Sequence, residues 1–242
     1  MQGSILNFFY LPYFVVTPHE ELKSTFLANP VYWSLFFELF ANIAFIFTIR
    51  LSKINLLLIT ILLGCWLGLE GHIFHTSPGW STNNFVGGFP RVGYSFMVGV
   101  LIFKYFDLLK ALPKLSSLVI VALFVLIAVV PNKNWLIWYF PVIFIIPFIV
   151  ITGARVEIEN SFINKILEYL GWISYPLYCL HFPIISIWRV YSPNPAHFYK
   201  ELIILLPLTF LITHLVAKKL DDPVRDWLTK KNRKIVVVKS FS

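Results

Sequence analysis

Apolar residues fill this chain in seven long blocks, at 31–49, 54–73, 93–106, 115–130, 135–152, 170–190 and 202–217. A helix that crosses a bilayer needs about 20 such residues, with a range of roughly 17–25. The pattern therefore predicts an all-α fold, a polytopic transmembrane helix bundle of about seven spans. The third block reaches spanning length only if its helix starts near Phe85. The fourth is short and must draw in flanking residues or thin the bilayer locally. Pro141, Pro147, Pro176, Pro183 and Pro207 lie inside blocks. In a membrane helix such prolines kink the axis, and neighbouring helices satisfy the carbonyls they free. The bundle is assigned to residues 1–220, and residues 221–242 to a basic cytoplasmic tail suited to an anionic inner leaflet.

Composition agrees with lipid as the solvent. Hydrophobic residues make up 58% of the 242 and charged ones 13%, and the mean hydropathy is +0.75. A soluble domain is nearer half apolar and a quarter charged. Aromatics at 18% suit a protein whose Trp and Tyr sit at the membrane–water interfaces. Cys65 and Cys179 both fall inside apolar blocks and form neither a disulfide framework nor a metal spacing. The net charge of +8 would raise nucleic-acid binding in a soluble protein. Here it punctuates apolar runs, so no nucleic-acid partner is expected and the charge reads as a topology signal.

Fifteen Lys and Arg fall on one side: Arg50, Lys53, Lys104, Lys110, Lys114, Arg155, Lys165 and the eight from Lys218 onward. The other side receives five: Lys23, Arg91, Lys133, Arg189 and Lys200. Without the tail the bias is seven against five, with the same sign. The tail is therefore expected in the cytoplasm of a cell whose inner membrane holds the chain, and Met1 outside. Residues 1–16 lack the basic start and small-residue cleavage site of a signal peptide. They read as a loop after an earlier helix, which predicts an odd number of upstream spans. Residues 70–91, rich in Gly, Ser, Asn and His, form the one sizeable outer connection expected. No internal repeat is visible.

Four constellations could carry chemistry. In the first, Asn29-Pro30 opens a span containing Trp33, and Ser34, Glu38 and Asn42 follow one another at steps of four, along one helix face. A carboxylate in an apolar helix is costly and faces a bundle interior or a wet cavity. Cavity lining and a structural contact, with Arg91 as one partner, are the two readings. In the second, Ser174, Tyr178 and His181 share a face of the sixth span, and Tyr175 lies beside them. An intramembrane histidine is a functional hypothesis by default, weighed against a core histidine bonded to tyrosine. In the third, Arg91 at the outer end of the third span could hold an anionic or sugar ligand, or snorkel, and Gly93 and Gly99 permit close helix approach. The fourth is Glu70, His72 and His75. Nothing completes a ligand set there, so these are expected to be solvated loop residues and no metal is assigned.

Three of these segments and the chain's close, in order, resemble the acyltransferase-3 family of multispan bacterial enzymes. "NPVYWSLFFELF" is similar to its Trp-Ser-Leu-x-x-Glu element. "GFPRVGYSFMVGVLIFKY" is similar to its Arg-x-x-x-x-Phe-x-x-Gly helix, and "LGWISYPLYCLHFPII" to its Gly-x-x-Ser-Tyr-x-x-Tyr-x-x-His-x-Pro helix. "LDDPVRDWLTKK" resembles the Glu-x-Pro-x-Arg close, with Asp222 in the acidic place.

The resemblance implies a membrane O-acyltransferase, most often an O-acetyltransferase. Acyl-CoA, typically acetyl-CoA, would be the donor substrate, with no bound cofactor. The acceptor would be a carbohydrate, an exported polysaccharide such as lipopolysaccharide or a glycolipid sugar. Trp33, Ser34, Glu38, Arg91, Tyr175, Tyr178 and His181 are the candidate cavity or substrate-lining residues, and no catalytic residue is assigned. The family's early helices, with their essential histidine and arginine motif, find no counterpart, and His181 matches the late family histidine. The chain is thus expected to be the C-terminal part of such a domain and inactive by itself. The alternative is a non-enzymatic membrane module, transporter-like or glycan-binding. The absence of related halves counts against a transporter.

Overall fold

The computed structural model describes residues 6, 7, 9, 11–14, 24–75, 77–109, 111–113, 115–130, 134–156, 160–192, 194 and 198–230. Among these the structure is helical, apart from turns and an antiparallel bridge between Ser24 and Ser81. The chain divides into two compact units, Met1–Glu157 and Ile158–Ser242. The first holds α1 (Tyr32–Thr48), α2 (Lys53–Phe74), α3 (Gly88–Lys104), α4 (Ser117–Val129) and α5 (Trp135–Gly153). The second holds α6 (Ser161–Tyr191) and α7 (Tyr199–Lys230).

Five helical runs are long and apolar enough to cross a membrane: α2, Thr82–Lys104, α5, α6 and α7. The other two of the seven predicted spans are shorter apolar helices, α1 at the lower limit of spanning length and α4 below it. α1 has 17 residues and α4 has 13. At about 1.5 Å per residue, α4 measures roughly 20 Å against a hydrocarbon core of about 30 Å. The cause is local. Ser116 caps the start of α4 by accepting from the Val119 amide at 3.4 Å. At the other end Val130 is extended, at φ −65° and ψ 122°, as befits a residue that precedes a proline.

The predicted outer loop is also mostly helix. α2 runs through Glu70 and ends at His75, whose φ of 51° is left-handed. A tight 3-10 turn, Thr82–Gly87, then leads directly into α3. Among the described residues of this stretch only 75 and 77–81 stay outside helices, and the third span gains the length it lacked in sequence. The turn is fastened by Asn84, whose Oδ1 accepts from the Gly79 and Ser81 amides at 3.0 and 3.1 Å.

In the first unit α3 packs against both α1 and α2, while α5 lies against α2, α3 and α4. Phe26, Phe37 and Phe85 form a buried aromatic core, flanked by Trp33, Phe36 and Phe89. Gly88 is what lets α3 reach α1: a Cβ there would lie 2.1 Å from the Phe37 ring. Along α2, Gly64, Gly68 and Gly71 make a seam that receives the rings of Tyr94, Tyr139 and Trp138, with added Cβ atoms at 3.2, 3.0 and 2.9 Å.

α5 shows how a proline is accommodated. Pro147 has no amide hydrogen to give the Ile143 carbonyl, its normal partner four residues back. The helix opens into a π turn at Pro141–Ile145, and the Tyr94 hydroxyl of α3 donates to the Ile143 oxygen at 3.0 Å. This is the neighbour-helix compensation expected from the sequence.

Lysine and arginine stitch the opposite end of this unit. Lys104 Nζ reaches the Ile49 and Leu51 carbonyls at 3.3 and 3.4 Å. Arg155 donates to the Leu112 carbonyl at 2.6 Å. Lys53 stands over the Tyr105 ring at 4.7 Å.

In the second unit Asn160 caps α6 by accepting from the Phe162 and Ile163 amides. α6 and α7 pack along their length. At one end of the pair the Glu201 carboxylate accepts from Trp188 Nε1 at 2.9 Å and from the Ser192 hydroxyl. α7 continues through a π turn, Ala217–Asp221, and stays helical to Lys230. The first part of the predicted tail is thus a helix, and residues 231–242 lie outside the described residues.

Candidate functional site

Each unit carries part of the candidate set. In the first, the rotation of α1 is set by burial of Leu35, Phe37 and Ala41. Ser34, Glu38 and Asn42 keep their predicted common face, on which Glu38 and Asn42 are exposed. The Ser34 hydroxyl donates to the Val31 carbonyl at 3.1 Å, and the Asn42 amide to the Glu38 carbonyl at 2.9 Å. Arg91 is anchored to both neighbouring segments. Its guanidinium lies over the Trp33 ring at 4.8 Å, and it donates to the Pro78 carbonyl at 3.0 Å. Two of the motif segments therefore meet here, through Arg91 on Trp33 and Gly88 on Phe37.

Glu70 and His72 sit on α2 rather than in a loop, which corrects that part of the expectation. Glu70 Oε1 accepts from Trp66 Nε1 at 2.9 Å. The His72 ring lies edge-on to Trp135 and to His75, at 5.7 and 5.9 Å. Among the described residues no three His, Cys, Asp or Glu side chains are grouped to hold a metal ion.

The second unit contains a cavity that gathers the other predicted constellation. A groove of about 470 Å³ runs between α6 and α7, walled by residues such as Ile173, Leu177 and Leu205. Ser174, Tyr178 and His181, predicted to share a face, all line it, and Thr209 faces them from α7. Tyr175 is exposed, with 48% of its surface open, and does not line this groove. Volume and apolar lining are those of a ligand pocket with a few placed polar groups.

The polar groups differ in what they can offer a ligand. Ser174 donates its hydrogen to the Gly171 carbonyl at 2.8 Å, and Thr209 donates to Leu205 at 2.7 Å. Toward the groove both hydroxyls are therefore acceptors. His181 Nδ1 lies 3.1 Å from the Leu177 carbonyl. A carbonyl only accepts, so Nδ1 carries the hydrogen. In the neutral ring Nε2 then keeps its lone pair. The Tyr178 ring stands 5.9 Å from that imidazole.

One cluster escaped the sequence reading. At the other end of the α6–α7 pair, Tyr169 and Trp172 enclose His214, with ring centroids 5.9 and 5.3 Å away. The Tyr169 hydroxyl is 3.3 Å from His214 Nδ1. Trp172 Nε1 donates to Asp222 Oδ1 at 3.0 Å. The available signal was a histidine in an apolar run, the same one that singled out His181. The Trp172–Asp222 bond joins the late-histidine segment to the acidic close, so the other two motif segments also meet.

Neither a curated protein nor a solved structure matches the chain. The sequence profile of the acyltransferase-3 family, an acyltransferase domain, matches residues 4–217. That span takes in Trp33–Glu38, the Arg91 helix and the groove with His181, and stops just before Asp222. The match extends over most of both units, and on it the chain belongs to the acyltransferase-3 family of acyltransferase domains.

Proposed function

We propose that this membrane acyltransferase moves an acyl group, typically acetyl, from acyl-CoA to a sugar hydroxyl of an exported polysaccharide or glycolipid. We place it in the cytoplasmic membrane with its C-terminus in the cytoplasm, as the distribution of Lys and Arg favours. The observation that carries the reading is His181: its Nδ1–H is committed to Leu177, and its ring borders an apolar groove. Such a ring has Nε2 left to take a proton.

The chemistry requires that step. A sugar hydroxyl within about 3 Å of a base loses its proton as its oxygen attacks the thioester carbonyl. The tetrahedral intermediate holds negative charge on oxygen and needs a hydrogen-bond donor, for which the Tyr178 hydroxyl is the groove's candidate. Collapse breaks the carbon–sulfur bond, and the CoA thiolate leaves with a proton. The apolar walls suit the hydrocarbon of a glycolipid acceptor or of the acyl donor. In the first unit, Trp33 offers an aromatic face and Arg91 a guanidinium, both suited to a sugar ring; Ser34 and Glu38 of the same helix as Trp33 are taken as further substrate contacts.

Surface glycan from cells with and without the gene tests this. O-acetyl content is expected to fall on deletion and to return when the intact wild-type gene is restored. His181→Gln is expected to restore about a hundredfold less activity or worse. Unchanged O-acylation on deletion would overturn the reading.

A further inference from the structure

α7 is 32 residues long, about 48 Å at ~1.5 Å per residue. A hydrocarbon core is about 30 Å thick, and the whole bilayer with headgroups about 40–45 Å. The last turns of α7 must therefore stand in the headgroup layer or beyond it. Polar, fully solvated turns would suit that position. Instead Leu220, Val224, Trp227 and Leu228 are 62, 53, 60 and 47% exposed.

These four follow one another at steps of four, three and one, which places them in a single stripe along the helix. Asp222, two residues past Leu220, lies on the opposite side, where it accepts from Trp172 of α6. That bond fixes the rotation of the segment, so the stripe points away from α6. Exposed Lys218, Lys219, Arg225 and Lys230 flank it, and Arg225 is shared with Asp221 at 2.9 Å.

An apolar stripe with a tryptophan, bordered by lysines and continuous with a spanning helix, has the form of an interfacial anchor. We propose that residues 218–230 lie in the headgroup layer, stripe toward the acyl chains, with Lys218, Lys219 and Lys230 on anionic phospholipid headgroups. Charge selects the occupant: Asp226 is also exposed here, but from Lys218 onward the sequence carries eight Lys and Arg against three Asp. Three lysines beside the stripe favour an anionic surface, which attracts each basic side chain held close to it. The π turn at Ala217–Asp221 is a place where the helix can bend to bring the stripe down.

The full chain, with Cys65 and Cys179 replaced by alanine, is labelled with an environment-sensitive fluorophore at Val224→Cys or, on the polar side, at Thr229→Cys. It is reconstituted in vesicles of phosphatidylcholine, or with a third of the lipid replaced by phosphatidylglycerol. The probe at 224 is expected to be quenched by lipid-borne quenchers and protected from iodide, more so with phosphatidylglycerol. The probe at 229 is expected to remain open to iodide. Lys218→Glu, Lys219→Glu and Lys230→Glu should each weaken the phosphatidylglycerol-dependent protection, about fivefold per cation. Equal iodide access at both positions overturns the proposal. So does protection of 224 from both quenchers, because protein would then cover the stripe. Protection that ignores phosphatidylglycerol overturns the choice of an anionic partner.

Discussion

Gly88 and Tyr94 show how much of the first unit depends on single atoms. Any side chain at 88 would enter the Phe37 ring, so Gly88→Ala is expected to cost about 1–3 kcal/mol. A denaturant titration of the detergent-solubilised chain would read that loss. Tyr94→Phe leaves the Ile143 carbonyl without its donor in a medium that offers no water. A loss of about 1 kcal/mol is expected. The cause can be checked by a second substitution. Pro147→Ala restores an amide four residues beyond Ile143, so Tyr94→Phe should cost less in that background; an undiminished cost would place the effect elsewhere. At His181, glutamine keeps a donor near the Leu177 carbonyl but cannot take a proton. Acyl transfer is expected to fall with little change in folding, whereas Tyr178→Phe should slow transfer by a smaller factor. Equal activity of His181→Gln and wild type would remove the histidine from the chemistry.

At the scale of elements, periodicity and breakers carried most of the information. The limits of α2 and α5 lie within a residue or so of their apolar blocks, because Ser52 and Asn134 cap them at the first polar positions. The shared face of Ser174, Tyr178 and His181 was legible from spacing alone. The groove they line was not, since it needs α7 packed at a particular distance from α6. The glycine seam of α2 was hidden for a similar reason: Gly64, Gly68 and Gly71 gain meaning only with three aromatic rings against them. Residues 70–91 were over-read as a long loop because Gly, Ser and Asn are common in turns, yet here they also build a 3-10 turn at Thr82–Gly87 and a close helix contact at Gly88. Arg91 fastens that segment through Pro78 and Trp33. Arg91→Ala is expected to expose it, and limited proteolysis should then cut between 75 and 81 faster than in wild type. Arg91→Lys, which keeps charge but loses the planar group, should be cut at an intermediate rate. Equal cutting of all three would mean the arginine does not hold the turn.

For the molecule as a whole, the account joins an apolar helical chain in a membrane to transfer of an acyl group at a polar spot within it. Apolar residues such as Leu118, Phe103 and Ile203 are 80, 84 and 78% exposed, an arrangement that water would not tolerate and lipid does. Motif segments far apart in sequence meet within each unit, at Trp33 with Arg91 and at Trp172 with Asp222. The most direct measurement supplies labelled acetyl-CoA to membranes from cells that carry the intact wild-type gene, the same gene with His181→Gln, or neither. The account predicts base-labile label on glycan or glycolipid with the wild type, at least tens of times above the other two. Label at the same level in all three membranes would contradict it.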